Sequence, residues 1–166
     1  MATPTNLPAT FTSGAVLTAA QQNDLRGAFR ILQVVSGTTT TSTSSSTATF
    51  VDTTLTATIT PQSSSSKILV IVTQNGCNKS NGNAFTALSL RLLRGATVIQ
   101  TIGNSLGFSG NAEQANFCAS TTILDSPATT SATTYKTQLN SPFAFATATV
   151  QTSSVESTII LMEVSA

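Results

Sequence analysis

From about residue 47 onward, apolar residues recur at every second position of this chain. In 55–60, Leu55, Ala57 and Ile59 fall on one side and Thr54, Thr56, Thr58 and Thr60 on the other. That alternation predicts a half-buried antiparallel strand. Residues 67–73 (Lys-Ile-Leu-Val-Ile-Val-Thr) differ, being apolar on both sides, and predict a central strand covered on both faces. Residues 85–94 predict another strand with Leu88, Leu90 and Leu92 inward. Arg94-Gly95-Ala96-Thr97 places Gly at the first central position of a two-residue type II′ hairpin, and 97–102 returns. Further strands are predicted at 29–35, 115–124, 134–139, 144–150 and 157–164.

Between the strands lie turn signals. Pro61 opens a turn over 61–66, because proline ends a strand ladder. Residues 75–83 form an Asn/Gly-rich polar loop, and 103–110 a Gly-rich one. The Thr/Ser run that follows Gly37, over 37–46, reads as a flexible linker or long loop within the body. The front of the chain is different. Residues 1–14, with Pro4, Pro8 and Gly14, read as an extended arm. Residues 18–29 read as one short helix, with Thr18 and Gln21 at capping-box spacing and Leu25 and Phe29 sharing a face. Such a helix is marginal alone and needs a surface to dock on. The expected architecture is an all-β antiparallel sandwich of jelly-roll type over 31–166, preceded by an arm and short α-helix over 1–30 that serve as an anchor. Strand order does not follow from this pattern.

Composition narrows the chemistry. Only 8 % of the residues are charged, against about 25 % in an ordinary soluble domain. There is no histidine and no tryptophan, so no Ser-His-Asp triad and no imidazole base is available. The carboxylates are Asp24, Asp52, Glu113, Asp125, Glu156 and Glu163. Glu163 is expected to point outward. Asp125 and Glu113 are a pair that loops could bring together, but their spacing does not ask for it. A glycosidase needs two carboxylates facing one cleft, and the chain reads as a non-enzyme. No cofactor is expected: the Gly103–Gly110 segment lacks the Lys-Ser/Thr of a phosphate loop. No metal is expected either, since Cys77 and Cys118 without histidine make no ordinary zinc site.

A net charge of +1 and scattered Lys and Arg give no footprint for nucleic acid. No apolar run reaches the length of a membrane helix, aromatic girdles for a membrane barrel are lacking, and no secretory leader is read at residues 1–6. Cys77 and Cys118 could pair or stay free, and they read as free buried thiols in a protein made in the cytoplasm. Near-zero net charge with few charges protects poorly against association, so the composition favours an assembly. Two groups of candidate contact residues follow. Leu7, Phe11, Val16, Leu17, Leu25 and Phe29 are the anchoring candidates. Asn78, Asn81, Asn83, Asn104 and Asn111, in loops suited to hydrogen-bonding sugars, are the distal candidates. The Thr54/56/58/60 row also resembles one strand of the Thr arrays in ice-binding β proteins.

Several segments, in a consistent order, resemble virion proteins of tailed bacteriophages, especially aquatic phages and cyanophages. They are Leu7-Pro8-Ala9-Thr10-Phe11, Gly14-Ala15-Val16-Leu17-Thr18-Ala19-Ala20-Gln21 and Asn23-Asp24-Leu25-Arg26 at the front. Ile31-Leu32-Gln33-Val34-Val35, Ile59-Thr60-Pro61, Ser65-Ser66-Lys67-Ile68-Leu69-Val70, residues 124–136 and residues 157–164 continue the likeness. The resemblance implies a trimeric virion component made in the host cytoplasm, and it supplies no catalytic residues. One expectation is a capsid decoration (cement) protein bound to the major capsid protein. Another is a short tail fibre held by a tail adaptor and contacting host glycan. A third is a free carbohydrate- or ice-binding module, which would need neither anchor nor trimer.

Overall fold

The computed structural model describes Gly14, Val16, Thr18 and residues 31–165. The expected arm and α-helix over 1–30 therefore lie outside the described residues, apart from those three positions. The rest is antiparallel β-structure with one 3₁₀ turn, Thr152–Ser154. The strands are β1 (Ile31–Thr39), β2 (Thr43–Ser45), β3 (Val51–Ile59), β4 (Lys67–Lys79) and β5 (Leu88–Arg94). They continue as β6 (Thr97–Leu106), β7 (Ala115–Asp125), β8 (Thr133–Asn140), β9 (Ala148–Val150) and β10 (Ser157–Val164).

In the first sheet β1 pairs with β10, β10 with β4, and β4 with β7. Farther along β4, β9 takes the place of β10, and β2 pairs with β9 as β1 does with β10. So β1 and β2 share one lane, and β9 and β10 share another. The second sheet runs β3-β8-β5-β6. Counted as eight lanes in chain order, the sheets read 1-8-3-6 and 2-7-4-5, the double Greek key of a jelly roll.

The alternation of β3 is realised as expected: Leu55, Ala57 and Ile59 are buried and Thr54, Thr56 and Thr58 exposed. The Gly95-Ala96 turn forms with Gly95 at φ +57, a value glycine adopts without strain. Several boundaries move. The first strand, expected over 29–35, is described from Ile31 and continues to Thr39. The Thr/Ser run is no free linker, because most of it is paired as the end of β1 and as β2. Its hydroxyls find partners too. Thr39 Oγ1 meets Thr54 Oγ1 at 2.7 Å, and Ser42 Oγ donates to the Val150 carbonyl at 3.2 Å. Thr and Ser suit a pleated surface well enough once a neighbouring strand supplies the ladder. Likewise β4 runs through Asn75, Gly76 and Asn78 across a bulge, and β6 through Gly103 and Asn104. Residues 85–87 and 144–147 stay outside strands.

The core has two parts. Leu55, Ile59, Ile68, Val70, Tyr135 and Leu161 belong to the larger cluster, toward the end where β1 begins and β10 finishes. Cys77, Leu88, Leu90, Leu139, Ala148 and Val150 form the smaller one. Between them runs a buried polar seam. Thr53 Oγ1 lies 2.6 Å from Thr137 Oγ1, which donates to Gln74 Oε1 at 3.0 Å. Gln74 and Gln151 both donate to Ser157 Oγ, at 3.3 and 2.9 Å. Buried polar groups of this kind hold register because each loses its partner if a strand slips.

Glu163 corrects an expectation. It is fully buried, on the inward side of β10 with Ile159 and Leu161, rather than outward. Its carboxylate accepts from Gln33 Nε2 at 2.6 Å and from the backbone N–H groups of Gln62 and Ser63 at 2.8 and 3.4 Å. Burial pushes its pKa up, but hydrogen bonds from the Gln33 side chain and the Gln62 and Ser63 backbone outweigh that and hold it below the usual 4.5.

Candidate functional site

The sandwich has two unlike ends. At one, Ile31 lies opposite Val164 at the edge of the first sheet, so β1 begins at the end where β10 finishes. Of the anchoring candidates, Leu7, Phe11, Leu17, Leu25 and Phe29 lie outside the described residues. Val16 is 89 % exposed. An inter-sheet lock closes this end. Arg94 donates to both oxygens of Asp125 at 2.9 and 2.8 Å, and Tyr135 Oη donates to Asp125 Oδ2 at 2.7 Å. Burial, and then the bond to Asp125, raises the Tyr135 pKa. Glu113 lies in the loop before β7 and Asp125 ends that strand, so the two carboxylates sit at opposite ends of the sandwich.

The other end lies ~40 Å away along the 13 residues of β4. The loops 46–50, 80–87, 107–114 and 141–147 gather there. Three of the distal candidates, Asn81, Asn83 and Asn111, are in these loops. Asn83 also shapes its own loop, its Oδ1 accepting from the Phe85 N–H at 2.8 Å. Asn104 is exposed on β6. Asn78 is not a loop residue. It is buried on β4 and donates to Asn116 Oδ1 at 2.7 Å, because the strand continues past the Gly76 bulge.

What dominates this end is aromatic, and the alternation of the sequence did not reveal it. Phe85, Phe108, Phe143 and Phe145 come from three loops and cluster, with ring centroids 5.3 to 6.3 Å apart. Their exposures are 54, 45, 37 and 63 %. With 150–250 Å² for an aromatic side chain, roughly 400 Å² of phenyl surface faces outward, the size of patch that marks interaction sites. The available signal was phenylalanine inside segments punctuated by Gly, Pro and Asn, as in Ser-Pro-Phe-Ala-Phe at 141–145.

The loops beneath the rings are pinned. The Lys79 side chain is fully buried, and its Nζ donates to Ser109 Oγ at 2.8 Å and to the Asn111 carbonyl at 2.9 Å. Ser141 Oγ donates to the Ala146 carbonyl at 2.8 Å, closing the loop that presents Phe143 and Phe145. Glu113 is the one charged residue within the four loops. This end can therefore offer stacking and apolar contact with a few amide and hydroxyl groups, and almost no electrostatic attraction.

Both cysteines are free, Cys77 buried as expected, but Cys118 is exposed rather than buried, because the alternation of β7 puts it on the outward side. Burial pushes the Cys77 thiol up to about 12, which removes it as a nucleophile at neutral pH. Among the described residues no three His, Cys, Asp or Glu side chains group as metal ligands, and no helix is long and apolar enough to cross a membrane. No protein-family model matches the chain, and no curated protein matches it.

Proposed function

We propose that this chain is a non-enzymatic structural protein of a tailed-bacteriophage virion, a trimeric capsid decoration protein that binds the major capsid protein. The observation that carries the reading is the polarity of the body. β1 begins, at Ile31, at one end of the jelly roll, and the opposite end holds pinned loops with an aromatic cap. A separate attachment segment and a rigid outward body are what a surface component of a particle needs. The segment resemblances named above point the same way. The jelly roll is compatible, being used in capsid proteins among others, although a fold alone assigns no function. Each closed contact between trimer and shell would add binding energy that bare shell lacks.

A second reading, a short tail fibre contacting host surface glycan, is favoured by one observation: the four phenyl rings lie at the end opposite Ile31, where β1 begins. One experiment separates the two. Full-length chain and residues 31–166 are mixed with particles lacking the protein and located by electron cryo-microscopy. The decoration reading expects full-length protein at symmetry-related shell positions and near-complete loss of occupancy for the truncated chain. Full occupancy by the truncated chain would sink the anchor role. Density on the tail alone, with host-cell binding lost in Phe108→Ser/Phe145→Ser, would establish the second reading instead. Asn81→Ala adds a polar probe of the same loops, whereas Asn78, buried and bonded within the sheet, does not.

A further inference from the structure

We infer that the outer face of the first sheet is the surface through which copies of this chain associate, an assignment that rests on the trimer reading above. The register places Val34 beside Met162, Met162 beside Leu69, and Leu69 beside Leu124. This is one apolar row across all four lanes, on the side away from the core. Ile160 and Ile71 stand next to each other in the adjoining row, between Ser36 and Thr122. Val34 and Leu124, at the two margins, are 54 and 60 % exposed. The interior does not require these residues, because Ile68, Val70, Val72, Ile159 and Leu161 already fill the inward side of β4 and β10. A strand that is apolar on both sides belongs to a sheet covered on both sides.

The occupant that fits is the other two copies of this chain, with the three faces converging on the threefold axis. Residues nearest that axis meet their own equivalents, so a charge-bearing face would gather its own sign there. On this face the outward positions of β1, β10, β4 and β7 are apolar, Ser, Thr, Asn or Cys, with one charged residue, Lys67, at the margin. The Lys67 Nζ is occupied by Ser126 Oγ at 2.6 Å. Four lanes at ~4.8 Å and a strand of eight residues span roughly 19 by 26 Å, or roughly 500 Å² in projection. That is well over half of the ~800 Å² per partner of a standard interface.

The test is the mass of the full-length chain by sedimentation equilibrium at micromolar concentration. The wild type is expected at three times the chain mass. Val34→Glu with Leu124→Glu is expected at the single-chain mass with an unchanged circular dichroism spectrum. Thr58→Glu, on the outer face of the other sheet, should leave the trimer intact. A wild type that is monomeric would overturn both the trimer reading and this assignment, and would leave residues 1–30 as the cover. A wild type that is trimeric, with the double variant equally trimeric, would overturn the assignment alone. Should the double variant fail to fold, Leu124→Lys by itself, at an exposed margin, decides on the same terms.

Discussion

The outer faces of the two sheets are built on opposite plans. That of the second sheet is a row of exposed Thr54, Thr56 and Thr58 on β3 beside a charged network on β8 and β5. Lys136 pairs with Asp52 at 2.7 Å, Gln138 bonds Asp52 at 2.6 Å, and Arg91 bonds Gln138 at 2.8 Å while lying over the Phe50 ring. That of the first sheet carries aliphatic side chains in register and a single marginal lysine. A two-layer sandwich needs one apolar face per sheet, and the second sheet obeys that rule. The first sheet has an extra apolar face, which the packing of the two sheets on each other does not require.

Neighbouring residues on β10 sharpen the contrast most strongly. Leu161 faces the core and is fully buried, whereas Ile160 faces out. Leu161→Ala should cost about 2–5 kcal/mol at any protein concentration. Ile160→Ala should cost well under that in dilute protein, and its penalty should grow with concentration as association comes into play. Chemical denaturation at two concentrations checks both. Equal, concentration-independent losses would erase the distinction between the faces.

Glu163 is the inward exception, a carboxylate on the core side. Its folded pKa lies below 4.5, so its stabilisation is complete above that value and is lost as pH falls through the folded pKa. Glu163→Gln should lower stability by about 1–3 kcal/mol at pH 7, since the amide cannot satisfy the same donors. The gap to wild type should narrow on acidification below 4.5, as read by thermal melts across pH. A gap that stays constant down to pH 2 would show that the charge is irrelevant.

The smallest effect belongs to the polar face. Asp52 also has a lowered pKa, chiefly through the hydrogen bonds from Lys136 and Gln138, but its side chain is half exposed. Asp52→Asn should change stability by only ~0–1 kcal/mol and leave the oligomer unaltered, and added salt should erase even that difference. A larger loss, or dissociation, would mean that the second sheet also takes part in assembly.

Much of the body was legible because strand formation is written locally. The two-residue period of 55–60, the double-sided run at 67–73 and the glycine of the 94–97 hairpin need no distant partner to be read. The misreadings share one cause. The Thr/Ser run and the Asn-rich stretch after Gln74 have loop composition, yet neighbouring strands far away in the chain recruit both into the ladder. Glu163 and Lys79 look like surface residues in sequence, and only the converging Gln33, Gln62, Ser109 and Asn111 make their burial tolerable.

By itself, then, the sequence determined the β class, the rhythm of strands and turns, the poverty of charge and the double-sided apolar character of the central strand. These depend on side-chain alternation, a property of the pleat over a few residues. Tertiary structure alone decided the jelly-roll order, the sharing of lanes by β1 with β2 and β9 with β10, the polar seam and the gathering of four phenylalanines at one end. Each of those requires groups dozens of residues apart to meet, as Thr53 meets Thr137 and Phe85 meets Phe143. Such meetings are set by how the two sheets close over one core, which no local period encodes.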